Sequence, residues 1–298
     1  MPRPDPATQI FEAQRPRLLR LAYRMLGSMT EAQDIVQEAW LRWQRADRSD
    51  IETPPAFLSR IVTRLCLDAM NSARARRETY FGVWLPEPVA EIPDEPEDDD
   101  LTLTLMMALE RLSPLERAAF LLHDVFGVAL DEVATTLGRE APAVRQLAVR
   151  ARKHVQDARP RFPVADDEGQ RIAAAFFNAS RTGDVEALRG LLAQDVILQS
   201  DGGGKVLAFR NPILGLARIQ RLYRGLVRKL GAQPAEPFVP LRIDGLPGYI
   251  SRDRGDVIQT TALEIRDGLI TRIYITRNPD KLRHIVGTLN LAADATRH

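Results

Sequence analysis

The stretch that most limits what this chain folds into is Val128 to Gln156, VALDEVATTLGREAPAVRQLAVRARKHVQ. Its apolar residues recur at helical spacing in two short runs. Leu130, Val133, Ala134 and Leu137 share one face of the first, and Val144, Leu147, Ala148 and Ala151 share one face of the second. Gly138 between them ends the first helix, because glycine takes the left-handed C-cap conformation at little cost. Arg139, Glu140 and Ala141 make the turn, and Pro142 is expected at the first helical position, where its missing N–H is harmless. The second helix carries Arg145, Gln146, Arg150, Arg152 and Lys153 outside its apolar face. A helix-turn-helix with a basic second helix has the geometry of a major-groove reader. An ordinary helical hairpin with a solvated basic face fits the same pattern, so the rest of the chain has to decide.

At 298 residues the chain has room for two domains, or three small ones. The net charge is +1, so attraction to nucleic acid has to come from local patches rather than a global field. Residues 141–161 form such a patch, with six Lys or Arg and one Asp. The single cysteine, Cys66, excludes an internal disulfide framework and fits a reducing cytoplasm. It lies in an apolar helical run, which points to packing. Four scattered histidines give no metal-site spacing, and no metal or cofactor is expected. No run approaches the ~20 apolar residues of a membrane span and MPRPDPATQI lacks an apolar signal core, so a cytoplasmic protein without membrane contact is expected.

Residues 1–80 read as a block of three helices: Ile10–Leu26 with Pro16 inside, Glu31–Arg45 capped by Thr30 with Gln33 as capping-box partner, and Ala56–Ala75. The second helix has an apolar stripe of Ile35, Val36, Ala39, Trp40 and Trp43, with Asp34, Gln37, Glu38 and Leu41 on its flank. The third carries Arg60, Arg64, Asn71 and Arg74. The run YRMLGSMTEAQDIVQEAWLRW followed by FLSRIVTRLCLDAMNSARAR resembles region two of the extracytoplasmic-function (ECF) group of bacterial sigma factors. The resemblance implies that Asp34, Gln37, Glu38 and Leu41 dock on the β′ clamp helices of RNA polymerase core. It also implies that Arg60, Arg64, Asn71 and Arg74 engage the −10 promoter element. An amphipathic helix offering an apolar anchor with a polar rim suits the first role. A basic helix beside a loop suits the second, holding an unstacked base and tracking a melted strand. Trp43 reads better as a core residue than as part of that interface.

Residues 81–100 form an acidic tether. EPVAEIPDEPEDDD holds eight acids and no base, the composition of a flexible linker. The preceding YFGVWLPEP is different, since an exposed Trp84-Leu85 pair is costly in water and should dock somewhere. Residues 101–161 then bring a helix from Leu101 to Leu112, a capping box with Ser113, Pro114 and Glu116, and the helix-turn-helix. ALERLSPLERAAFLLHDVFGVALDEVATTLGREAPAVRQLAVRARK resembles sigma region four. By that resemblance the second helix reads the −35 element and the domain meets the polymerase β flap. Arg145, Gln146 and Arg150 are the candidates for base edges, and Arg139, Arg152 and Lys153 for phosphates.

Residues 165–298 exceed what a simple ECF factor needs. Helices at Glu168–Ser180 and Val185–Leu192 precede a strand at Asp195–Ser200, the DGGGK turn at Asp201, Gly202, Gly203, Gly204 and Lys205, and a strand over VLAFR. Asn211–Lys229 reads as helical, and PFVPLRI, GYISR, DVIQTTALEIR and LITRIYITR follow as strands. Asn278, Pro279, Asp280, Lys281 and Leu282 (NPDKL) begin a final helix. Helices followed by a curved antiparallel sheet resemble the SnoaL-like cone fold. WLPEP, DGGGK and NPDKL resemble the motifs of the ECF subgroup with a long C-terminal extension, in which the extra domain replaces a separate anti-sigma protein. The resemblance implies a cone that docks on region two and on the tether near Trp84, Leu85 and Pro86.

The expected fold is therefore multidomain: two all-α sigma domains, the second with a helix-turn-helix, and an α+β SnoaL-like cone. The expected function is a promoter-specific initiation factor without catalysis, whose partners are RNA polymerase core and promoter DNA and whose C-terminal domain regulates it. Two alternatives remain. One is a one-component regulator whose ligand-filled cone controls a helix-turn-helix. The other is a cone-fold enzyme fused to a DNA-binding module, needing a base such as Asp195, Asp201, Asp244, Asp256 or Glu264 inside the cone.

Overall fold

A computed structural model describes residues 5–49, 51–78, 80–91, 102–156, 165–232, 238–253 and 256–285, without the side chains of 72–78 and 91. The chain folds as two compact units that do not follow chain order. One comprises residues 1–79 and 106–158, the other residues 80–105 and 159–298.

The first unit is helical. Helix α1 (Pro6–Leu26) ends at Gly27, whose φ of 68° is the left-handed cap and whose N–H reaches Tyr23 O. Helix α2 (Met29–Arg45) is capped by Ser28, whose hydroxyl accepts from Glu31 N at 3.1 Å. Thr30 and Gln33 are thus not the cap and its box partner: the helix starts earlier, because the extended residue following the glycine cap already offers a hydroxyl. Ala32, Val36, Ala39 and Trp43 are buried on α2. Trp43 is a core residue, with Nε1–H donating to Ala7 O at 2.9 Å. Helix α3 (Pro54–Glu78) buries Leu58, Val62, Leu65, Cys66 and Met70 against the pair. Burial pushes the Cys66 thiol well above its usual range, which makes it an inert packing residue.

Helix α4 (Leu103–Leu109) leads to α5 (Pro114–Phe120), which begins with the expected capping box between Ser113 and Glu116. A single π-helical turn, Leu121–Val125, follows. It ends in Phe126, onto which α1 folds Arg17 and Arg24 at 5.7 and 5.4 Å from the ring centre. Arg117 is buried and joins the same parts of the chain: it donates to Met25 O at 2.7 Å and Leu109 O at 2.9 Å and pairs with Glu110. Helix α6 (Leu130–Leu137) ends at Gly138 with φ 62°, and α7 (Ala141–Val155) begins one residue before Pro142, so the proline takes the second helical position. Either position belongs to the first turn, where no intrahelical N–H is lost.

The second unit is a mixed sheet with helices on one face. The tether contributes strand β1 (Ala90–Glu91). Helices α8 (Asp166–Thr182) and α9 (Val185–Leu191) come next, then β2 (Leu192–Asp201), the two-residue β3 (Ile213–Leu214) and α10 (Leu216–Leu230). Strands β4 (Phe238–Ile243), β5 (Leu246–Asp253), β6 (Val257–Arg266) and β7 (Leu269–Thr276) complete the sheet, in the order β1-β4-β5-β6-β7-β2-β3. Asp244-Gly245 and Asp267-Gly268 make tight turns with positive φ at both positions, as a two-residue hairpin requires. The expected turn at Arg254-Gly255 lies outside the described residues.

Three expectations for this unit are corrected. The sheet is mixed rather than antiparallel: after β2 the chain crosses through α10 and returns by hairpins, so β7 arrives parallel to β2. VLAFR is not a strand. A Cβ on Gly202 would stand 2.1 Å from Val206 O, so the chain folds back on itself there instead of extending. Helix α10 begins at Leu216 rather than Asn211, because residues 213–214 pair with β2 and Gly215 sits at φ 84°.

The core lies between the helices and one face of the sheet. Phe177 packs on Phe238 and Tyr249 at 4.6 and 5.1 Å, and Phe176 meets Tyr223 edge-on at 5.8 Å. Leu198, Ile219, Leu263 and Ile273 close around these rings. Rings of this size contribute roughly 1.5–3 kcal/mol each on burial. The opposite face is covered by other parts of the chain. Leu282 and Ile285 pack there against Ile250.

Candidate nucleic-acid interface and buried tether hub

Amphipathic spacing positions the exposed candidates of the first unit. On α2 the four buried residues turn Asp34, Gln37 and Leu41 to solvent, with Glu38 half-buried and paired to Arg42 at 2.8 Å. Trp40 rests on Phe11 at 4.9 Å. On α3, Arg64 and Asn71 are exposed and Arg60 is half-buried, whereas the Arg74 side chain lies outside the described residues.

On α7, Val144, Leu147, Ala148 and Ala151 are buried. That leaves Arg145, Gln146, Val149 and Arg150 on one exposed face of the helix. Arg139 is exposed at the turn, and Lys153 is exposed at the far end. Two of the six cationic or amide candidates are held from within: Arg150 meets Glu116 at 3.2 Å, and Arg152 meets Asp124 at 2.6 Å. Glu116 is desolvated, yet hydrogen bonds from Ser113 and the charge of Arg150 lower its pKa. It therefore stays anionic and steers Arg150.

The second unit holds a site of a different kind. WLPEP, DGGGK and NPDKL are far apart in sequence and meet at Asp201, which is buried at the end of β2. Its Oδ1 accepts from Tyr80 Oη at 2.6 Å and from Gly203 N at 3.0 Å. Its Oδ2 accepts from Leu85 N at 2.9 Å and from Lys281 Nζ at 2.8 Å. Lys281 also donates to Leu85 O and lies 4.1 Å from the centre of the Trp84 ring. Asn278 donates to Tyr80 Oη at 2.9 Å, and its own carbonyl accepts from Asp280 N. Asp280 pairs with Lys205, which lowers its pKa.

Gly203 is required here, since a Cβ would stand 2.3 Å from Asn278 Nδ2 at a φ of 63°. Leu85 and Pro86 are buried; Gly204 and Pro279 are exposed at their turns, and Leu282 is buried beneath. Every regulatory candidate of the three motifs is thus placed at, or within a turn of, one buried ion pair. A buried pair of this sort persists only where the remaining donors and acceptors are satisfied, as they are for Asp201.

Sequence reasoning missed three contributors. Tyr80 adjoins WLPEP, and its phenol pKa is pushed up by burial and by the Asp201 carboxylate. His284 Nε2 lies 2.7 Å from Pro88 O. The third is a second fastening further along the tether. Val89 and Leu103 both hydrogen-bond Asp244, and β1 pairs with β4. Thr104 Oγ1 donates to Glu264 Oε2 at 3.0 Å and accepts from Tyr274 Oη at 3.2 Å. Arg272 and Arg266 hold Glu264 from either side. The cue available in sequence was the register of TALEIR, which turns Glu264 and Ala262 away from Leu263 and Ile265.

That register also bears on chemistry. Asp195 and Asp256 are exposed, Asp244 and Asp201 bind the tether, and Glu264 faces away from the aromatic core. None of the five acids weighed as a base lies among the rings that fill the core of this unit.

Two helical blocks with exposed cations, followed by an α+β domain that holds their connector, are the architecture of a multidomain transcription initiation factor. The sigma-70 region 2 family matches residues 10–76, and the sigma-70 region 4 family matches residues 102–155. The chain belongs to the ECF RNA polymerase sigma factors. It is 38% identical over 288 residues to the ECF RNA polymerase sigma factor SigJ of Mycobacterium tuberculosis, covering 91% of each chain. It is 32% identical over 285 residues to the probable ECF RNA polymerase sigma factor SigI of the same species, covering 93% of this chain and 95% of that one. The crystal structure of M. tuberculosis SigJ superposes with a TM-score of 0.76 at 34% identity, over 93% of this chain and 98% of that one. As a sigma factor its partners are RNA polymerase core and promoter DNA. No described helix is long and apolar enough to cross a membrane.

Proposed function

We propose that this sigma factor is regulated by its own C-terminal domain, which fastens the tether between regions two and four at both ends. The observation that carries the reading is the pair of fastenings, Tyr80–Pro88 around Asp201 and Val89–Thr104 around Asp244 and Glu264. Fully extended, residues 79–102 reach roughly 80 Å, whereas residues 92–101 alone reach roughly 35 Å. The −10 and −35 elements lie ~85 Å apart on straight DNA, at 3.4 Å per base pair. With both ends held, regions two and four cannot spread across a promoter. Releasing either end lengthens the reach.

In the open state Asp34, Gln37, Glu38 and Leu41 dock on the β′ clamp helices, and Arg60, Arg64, Asn71 and Arg74 engage the −10 element. Arg145, Gln146 and Arg150 read −35 bases, Arg139, Arg152 and Lys153 hold phosphates, and the region-four domain meets the β flap. Opening frees Arg150 and Arg152 from Glu116 and Asp124 and withdraws Arg117 from Met25. The C-terminal domain also docks on region two in the closed state. It is not catalytic, a reading supported by its ring-filled interior. The factor works in the cytoplasm, where core polymerase is.

The test is the full chain carrying Asp201→Asn, reconstituted with core polymerase. Hydrogen exchange over residues 80–91 should rise and promoter-specific transcription should change. A freed tether with polymerase binding, promoter opening and output all unaltered would sink the regulatory reading.

A further inference from the structure

One surface of the C-terminal domain is used neither by the tether nor by the core. Helix α10 is the most strongly amphipathic in charge: residues 216–230 hold five bases and no acid. Leu216, Ile219 and Tyr223 are buried on its inner side. Arg218, Arg221, Arg224, Arg228 and Lys229 are all exposed on the other, within an arc of about 140°. Elsewhere in this chain cations are commonly matched, as Arg152 is by Asp124 and Arg242 by Asp166. The side chains of these five have no ion pair or hydrogen-bond partner among the described residues. The nearest helix, α9, offers Glu186, which faces its own Arg189 at 3.9 Å.

We infer that the outer face of α10 is a phosphate-contacting surface for duplex DNA, a sequence-independent addition to the promoter contacts of regions two and four. The stripe runs ~16 Å from Arg218 to Lys229 at 1.5 Å per residue. Each DNA strand presents a phosphate about every 3.4 Å along the axis, so a stripe of this length faces four or five of them. Unpaired arginines in a protein whose other partner is already DNA meet that polyanion at high local concentration.

The chain's own acidic segment is the competing occupant. Its two ends are tied at β4 and Asp244, whereas α10 packs over β2, four strand steps away or ~19 Å. A loop over residues 92–101 with both ends held brings its backbone at most ~17 Å from its anchors, so its acids meet the stripe only through fully extended side chains. The geometry therefore favours DNA.

The experiment compares holoenzyme made with the wild-type chain and with the Arg218→Gln/Arg221→Gln/Arg224→Gln/Arg228→Gln chain on promoter duplex, across a salt series. If all four arginines contact phosphate, the slope of log Kobs against log salt becomes shallower by about 3.6, at 0.9 per contact. Affinity at fixed low salt falls at least tenfold, equally for duplexes with altered sequence beyond the −10 and −35 elements. The corresponding Arg→Lys chain keeps the wild-type slope, which separates charge from folding. Should the Gln chain melt early, the Arg221→Gln/Arg228→Gln chain is expected to lose about half as much. Equal slopes for wild type and variant overturn the inference while leaving promoter binding, and so the sigma function, intact. A slope change that disappears when the acids of residues 94–100 are neutralised also overturns it, because the stripe's partner is then the tether.

Discussion

Helix α7 and the Asp201 hub both rest on charge, and they place it in opposite settings. On α7 the cations are exposed, their positions follow from one helix's periodicity, and only Arg150 and Arg152 are paired, to Glu116 and Asp124, among the described residues. At the hub a carboxylate and an ammonium are buried, satisfied from within, and assembled from three segments spread over residues 80–281. The exposed set tolerates single losses with little cost to folding, since its side chains stay in water. The buried set is intolerant, because removing one member strands another in low dielectric. A switch belongs in the second setting: its two states differ by a few interactions that are either all made or all broken.

The contrast is broken most directly at Asp201. Asp201→Ala leaves Lys281 buried and uncompensated and should destabilise the C-terminal unit by about 3–5 kcal/mol. Denaturant unfolding of the full chain measures it. Asp201→Ala with Lys281→Met should cost less than the sum of the two single changes, since the stranded charge goes too. If Asp201→Ala is neutral, the hub is no more than surface chemistry.

The second fastening gives a pH test. Burial pushes the Tyr274 phenol up to about 12 from an ordinary 10.0. A raised folded-state value means that the associated stability is complete below about pH 10 and is lost as pH rises toward 12. The amount is about 2–3 kcal/mol at 1.36 kcal/mol per unit. Tyr274→Phe should remove that component from an alkaline stability profile.

On the exposed side, Arg145→Ala or Gln146→Ala should weaken specific promoter binding by about 1–3 kcal/mol with no change in melting temperature. Competition binding against mutated −35 sequences shows which base each reads. The smallest effect is expected at Ser113→Ala, about 1 kcal/mol of stability from the lost cap. Through the loosened Glu116 this change also frees Arg150, so promoter affinity should hold or rise while the melting temperature falls.

Much of the first unit was legible in sequence. Gly138, Ser113-Pro114-Glu116 and the apolar stripes of α2 and α7 are local signals, and local hydrogen bonding realises them. The errors there were small, such as Ser28 rather than Thr30 as a cap. The second unit was less legible. VLAFR has strand composition, yet the Gly202 turn and the exposed Leu207 leave it outside the sheet. β7 reads as one more hairpin strand, and its parallel pairing with β2 depends on the crossover through α10.

By itself the sequence determined which faces of the helices are buried, and hence which charges of α2, α3 and α7 are left exposed, because helical periodicity is a property of each segment alone. It also marked WLPEP, DGGGK and NPDKL as distinctive. Only the tertiary structure decided that they meet on one carboxylate and that Glu264 turns from the cone interior to grip Thr104. The reason is physical. Exposed charge is placed by neighbours a few residues away, whereas a buried charge is stable only where distant donors converge, and that convergence exists nowhere but in the folded chain.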